Sequence, residues 1–213
     1  MQWIDLSLPI KTGMPVFPGD PEVSLETVRS HARDDMQLSR LVIGSHTGTH
    51  LDAPRHFLAE GESVDQLPLD RCCGTAFVAT CPWQPGKTIN LNRLDISGFV
   101  DGDMLLLATG WDSRAGTKDY YREVPEFSVG SAVWLLRKGI RLFGLDLPNV
   151  VEAGDPNCPE AMHLKLLGAG MVLVESLAGL MPLAGKRVEF QALPLRLVGG
   201  DGSPVRACGK VMG

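Results

Sequence analysis

Two stretches in the second half of the chain each read as a helix that runs directly into a strand, and this pairing restricts the fold more than any other feature. From about Ser128 to Lys138 the run SVGSAVWLLRK places Val129, Ala132, Val133 and Leu136 on one helical face. It carries Arg137 and Lys138 in its last turn, stops at Gly139 and feeds the strand IRLFGLD, which ends at Asp146. The second unit opens with Pro159 at a first helical position, continues through EAMHLKLL and stops at the Gly168 and Gly170 pair. It then enters the strand MVLVES with Glu175 near its end. Sheets of α/β proteins hold functional side chains at strand ends.

Further apolar runs bounded by turn residues predict strands near 2–6, 22–28, 38–45, 75–81, 104–109 and 188–198, so strands dominate the first third. The segment from Met14 to Pro21 is a proline and glycine loop, and Val100-Asp-Gly-Asp103 is a turn before MLLLATG. The expected fold is mixed α/β, β-rich toward the N-terminus, with helices covering one face of the central strands. At 213 residues, with no internal repeat and no low-complexity linker, the chain is expected to form one domain over residues 1–213.

Charge excludes one class of partner. The net charge is −5, and lysine and arginine are scattered without a basic cluster, so no electrostatic footprint for nucleic acid is present. No run approaches the ~18 to 20 apolar residues of a membrane span, and the start MQWIDLSLPI lacks a basic secretory leader. The expectation is a cytoplasmic protein that acts on a small molecule, with neither nucleic acid nor membrane as partner. The five cysteines, Cys72, Cys73, Cys81, Cys158 and Cys208, contain no CxxC pair, which argues against a disulfide framework and a zinc finger alike.

The chemistry is concentrated in His46 to Phe57, HTGTHLDAPRHF, which holds three of only five histidines. His46, His50 and Asp52 place two imidazoles and a carboxylate within seven residues, a ligand set for Zn²⁺, Mn²⁺ or Fe²⁺. Thr47-Gly48-Thr49 and Pro54 oppose a helix here. In an extended segment His50 and Asp52 point the same way, because side chains alternate with period two. Three ligands leave a coordination position open, the pattern of a catalytic metal. His56 is then a free imidazole suited to proton transfer. A single histidine in a loop is more often a surface residue, and His31 in the polar SHARDD fits that description. Arg55 is expected to point away from His56.

The string matches HxGTHxDxPxHF at every fixed position and resembles the cyclase family of metal-dependent hydrolases, which includes the bacterial kynurenine formamidases. Supporting similarity runs through DLSLPI, MPVFPGDP, LLLATGWD with Asp119-Tyr-Tyr121, GLDLPNV and GGDGSPVRA. The resemblance implies a swivelling β/β/α-type domain, assembled as a homodimer or higher oligomer. It also implies two metal ions, zinc first and manganese as an alternative. By motif position His46, His50 and Asp52 resemble the ligands of one ion, and Asp52, His163 and Glu175 those of a second, with His56 as acid and base. Those formamidases carry tryptophan where this chain has Phe17, which keeps an aromatic wall for a substrate ring. Asn149 stands where a small hydroxyl residue is usual.

The activity implied is hydrolysis of N-formyl-L-kynurenine to kynurenine and formate by metal-activated water. Two alternatives stand beside it: opening of a cyclic amide or lactone such as isatin, and a catalytically silent module whose ions staple loops. Neither GxSxG nor HExxH occurs, which disfavours a serine hydrolase and a zincin.

Overall fold

The computed structural model describes residues 2–154, 158 and 160–213. Eleven strands are present among them: β1 (Ile4–Asp5), β2 (Ser24–Arg29), β3 (Leu38–Val42), β4 (His50–Asp52), β5 (Cys73–Thr80), β6 (Met104–Ala108), β7 (Leu142–Leu145), β8 (Val172–Glu175), β9 (Arg187–Gln191), β10 (Gly202–Pro204) and β11 (Cys208–Val211). Three α-helices accompany them: α1 (His31–Asp34), α2 (Ser131–Arg137) and α3 (Ala161–Gly168). Nine strands form one mixed sheet in the order β1-β11-β9-β5-β6-β7-β8-β4-β10, while β2 and β3 pair only with each other.

The four central strands, β5 to β8, run parallel, and every other pairing is antiparallel. Parallel neighbours need a crossover, which α2 supplies between β6 and β7 and α3 supplies between β7 and β8. Buried on both faces, β6, β7 and β8 are continuous apolar runs, MLLLA, LFGL and VLV. One face carries Phe77, Leu105, Leu107, Phe143 and Leu173 against Ala132, Leu135, Met162 and Leu166 of the helices. The other carries Val78, Leu106, Leu142 and Val174 against Leu6, Leu51 and Phe190, contributed by the outer strands and the segment after β1.

That second core exists because the sheet curls. The backbone N–H of Leu6 donates to Ala207 at 3.0 Å, and its carbonyl accepts from Ala178 at 2.9 Å, so the segment after β1 also touches the residues just past β8. An antiparallel bridge between Ser7 and Leu177 adds to the closure. The mixed α/β expectation, with helices on one face of the central strands, is what the structure has.

Two local expectations need correction. The inward stripe of α2 is Ala132 and Leu135, both fully buried, whereas Val133 and Leu136 are 42% and 36% exposed and Val129 precedes the helix. Residues 132–136 are all apolar, so periodicity alone does not fix the phase of a two-turn helix, and the sheet decides it. The strand expected over 188–198 ends at Gln191, three residues before Pro194, which has no N–H to give a ladder. Pro159, the expected first residue of the second helix, lies outside the described residues. The helix runs over Ala161–Gly168 and ends on the expected glycines.

Candidate metal centre

The HTGTH segment is a tight turn leading into β4. Gly48 has φ +63°, a left-handed conformation that favours glycine, and its carbonyl accepts a hydrogen bond from His50 Nδ1 at 2.8 Å. That bond places a proton on Nδ1 and turns Nε2 toward Asp52 and Glu175, the usual arrangement behind a ligating imidazole. The two threonines hold backbone. The hydroxyl of Thr47 accepts from the Gly44 N–H at 2.9 Å; that of Thr49 accepts from Leu8 at 2.8 Å and donates to the Ser176 carbonyl at 2.5 Å. Thr49 therefore ties the residue before His50 to the residue after Glu175.

Strand pairing does the rest. β4 lies antiparallel between β8 and β10, with His50 opposite Glu175 and Asp52 opposite Gly202. A Cβ at Gly202 would stand 2.6 Å from His46 Cε1 and 2.8 Å from the Leu51 carbonyl, so only glycine lets β10 approach this closely. His56 ends a 3₁₀ turn opened by Pro54, and its ring stacks on His46 with centroids 3.9 Å apart. His163 projects from α3 beside Phe57, at 4.6 Å between rings.

Of the sequence-predicted site residues, His46, His50, His56, His163, Glu175 and Phe17 line a cavity of about 240 Å³, and the buried Asp52 approaches His46, His50 and His163. His46 Nδ1 is 2.8 Å from Asp52 Oδ1, and His50 Nε2 is 3.3 Å from the same oxygen and 3.6 Å from Glu175 Oε2. His163 Nε2 is 3.4 Å from Glu175 Oε1 and 3.9 Å from Asp52 Oδ2. Arg55 is exposed and His31 is exposed on α1, both as expected. A larger cleft of about 440 Å³ around Trp83, Arg114 and Glu126 contains none of the histidines.

These groups fit a divalent ion. Two atoms that each lie ~2.0–2.1 Å from one tetrahedral ion stand about 3.3–3.4 Å apart, which matches the spacings around His50, His163 and Glu175 better than hydrogen bonding does. Glu175 Oε1 and His163 Nδ1 are buried without a hydrogen-bond partner among the described residues, and an orphaned carboxylate oxygen is what a cation would satisfy. Two overlapping ligand groups are present: His46, Asp52 and His56, and His50, Asp52 and Glu175. Asp52 belongs to both, as a bridging carboxylate must.

Protonation follows from the same crowding. Burial alone would lower His46, but the bonds and charges of Asp52 and Asp201 outweigh it and push its pKa up to about 9. His50 and His163 are raised in the same way, against burial, by Asp52 and Glu175. Burial acts to raise Asp52, yet His46 and His50 hold it well below the ordinary carboxylate range. His56 differs, because burial dominates and holds it below the usual imidazole value.

Asp201, unassigned in the sequence, completes the cluster. Its Oδ2 is 2.9 Å from His46 Nε2 and 3.5 Å from His56 Nδ1. The signal lay in GGDGSPVRA, where a carboxylate sits between glycines that permit close approach. Asp20, Tyr121 and Asn149 also line the cavity. Asp146, at another strand end, does not. It accepts from the Thr109 and Gly110 N–H groups at 2.8 and 2.7 Å, while burial pushes it up to about 6.

Comparison with known proteins shows which family shares this sequence and fold. Over 213 aligned residues the chain is 34% identical to the kynurenine formamidase of Geobacillus thermodenitrificans (strain NG80-2), covering 99% of this chain and 98% of that one. A solved structure of a predicted metal-dependent hydrolase from Bacillus stearothermophilus superposes with a TM-score of 0.77 at 27% identity, over 98% of this chain and 97% of that one. The fold is also shared with an isatin hydrolase bound to the product analogue thioisatinate, with a TM-score of 0.85 at 22% identity over 99% and 92% of the two chains. The model of the Cyclase family matches residues 4–151, the stretch that contains HTGTHLDAPRHF, and with full-length similarity to a formamidase this makes the chain a member of the Cyclase family.

Proposed function

We propose that this chain is a metal-dependent amide hydrolase whose substrate is N-formyl-L-kynurenine, cleaved to kynurenine and formate. The observation that carries the reading is the convergence of His46, His50, His163, Asp52 and Glu175 around orphaned buried polar atoms. Full-length similarity to a kynurenine formamidase supports the choice of substrate. His46, His50 and Asp52 would hold one ion, and Asp52, His163 and Glu175 a second, with zinc the first choice for this donor set and manganese the alternative. When bound, such a pair polarises a carbonyl and brings the pKa of water to roughly 7.

The protein's own groups handle the proton. His56, stacked on His46 at the cavity wall, takes a proton from the water that adds to the formyl carbon and returns it to the aniline nitrogen as the C–N bond breaks. Asp201 Oδ2, 3.5 Å from His56 Nδ1, holds the ring in orientation. Phe17 and Tyr121, edge to face at 6.1 Å, offer apolar surface to an aryl ring.

A second reading, opening of a cyclic amide such as isatin, is favoured by the shared fold. A substrate panel on zinc-loaded protein separates the two. Turnover of N-formyl-L-kynurenine with kcat/KM on the order of 10⁴ M⁻¹s⁻¹ or above is the expected result. Ring opening of isatin with no formamide cleavage would replace the first reading by the second.

A further inference from the structure

The cavity reads charge as well as shape. Among the described residues no lysine or arginine lines it. Asp52, Glu175 and Asp201 each face an imidazole within 3.6 Å. Asp20 also lines the cavity, but among the described residues its carboxylate has no ion-pair or hydrogen-bond partner. A lone carboxylate on a recognition surface without a cation is a charge whose partner comes with the ligand.

Local geometry presents Asp20 together with an aromatic ring. Phe17-Pro18-Gly19-Asp20 is a tight turn closed by the Asp20 N–H donating to the Phe17 carbonyl at 3.0 Å, with Pro18 second and Gly19 third at φ +101°. Proline followed by a positive-φ glycine is the signature of a type II turn, which sets the first and fourth residues close together. Both line the cavity, where the Phe17 ring meets Tyr121. The phenol of Tyr121 is pushed up to about 12, by burial first and then by the charges of Asp20 and Glu175, so it stays a neutral hydrogen-bond donor. An aromatic pair beside an uncompensated carboxylate suits an aryl compound that carries an ammonium group.

We infer that Asp20 is the specificity residue of this site: it binds the ammonium group of a zwitterionic aryl amide, selecting such substrates over uncharged aryl amides and lactams. The inference rests on the amide-hydrolase reading above and deepens it, because N-formyl-L-kynurenine carries an α-ammonium group and isatin carries no cation.

The test compares N-formyl-L-kynurenine with 2-formamidoacetophenone, which keeps the ring, the formamide and the ketone but lacks the amino-acid portion. Both are assayed on one preparation of zinc-loaded full-length protein, so the concentration of active sites cancels from the ratio of the two kcat/KM values. The wild-type ratio should favour the ammonium-bearing substrate by about ten-fold or more, the scale of one charge-assisted contact. In Asp20→Asn the ratio should collapse toward unity, chiefly through KM for N-formyl-L-kynurenine, and Asp20→Glu should recover part of it. A ratio unmoved by Asp20→Asn overturns the inference while leaving amide hydrolysis standing. Failure of the wild-type protein to cleave either compound removes the underlying reading, and this inference with it.

Discussion

Asp52→Ala protein is expected to retain neither ion and to hydrolyse formamide no faster than background. Asp52 is buried and approaches His46, His50 and His163, and it belongs to both candidate ligand groups. Its removal takes away the carboxylate that approaches all three imidazoles, leaving Glu175 between His50 and His163 alone. Loss of a residue that merely supports a ligand typically costs ~10–100-fold in metal affinity, and loss of a shared ligand should exceed that. Elemental analysis of the purified variant, run beside the activity assay, gives the answer. Wild-type metal content with activity within ten-fold of wild type would remove Asp52 from the centre.

His56→Ala should separate binding from chemistry. The expected result is full metal content with kcat lowered by about 10²–10⁴, the usual range for loss of a general acid or base. The prediction is sharp because the geometry allows another role: His56 lies close enough to His46 and Asp52 to join them as a ligand. Loss of metal in step with activity would make it one. Unchanged activity would deny it any part in proton transfer.

The helix-into-strand units were legible because local periodicity and terminal glycines report on α2, α3 and the strands they feed. His50 and Asp52 were legible as a pair because period-two alternation survives even in a three-residue strand. What stayed hidden depends on long-range pairing. The strand GSP of β10 has no strand-like composition and exists only because β4 pairs with it, and that pairing brings Asp201 to His46 from 155 residues away. The phase of α2 was invisible for a related reason, since an all-apolar stretch turns whichever side the sheet offers. Asp20 was hidden in a loop whose composition announced a turn but not the cavity that the turn faces.

The most direct measurement is metal reconstitution. Protein stripped with a chelator and titrated with zinc, then separately with manganese, should gain the ability to release kynurenine from N-formyl-L-kynurenine in proportion to bound ion. Activity should reach a plateau near about two ions per chain, as a paired site requires. Undiminished turnover by the stripped protein, or none at any metal loading, would contradict the account.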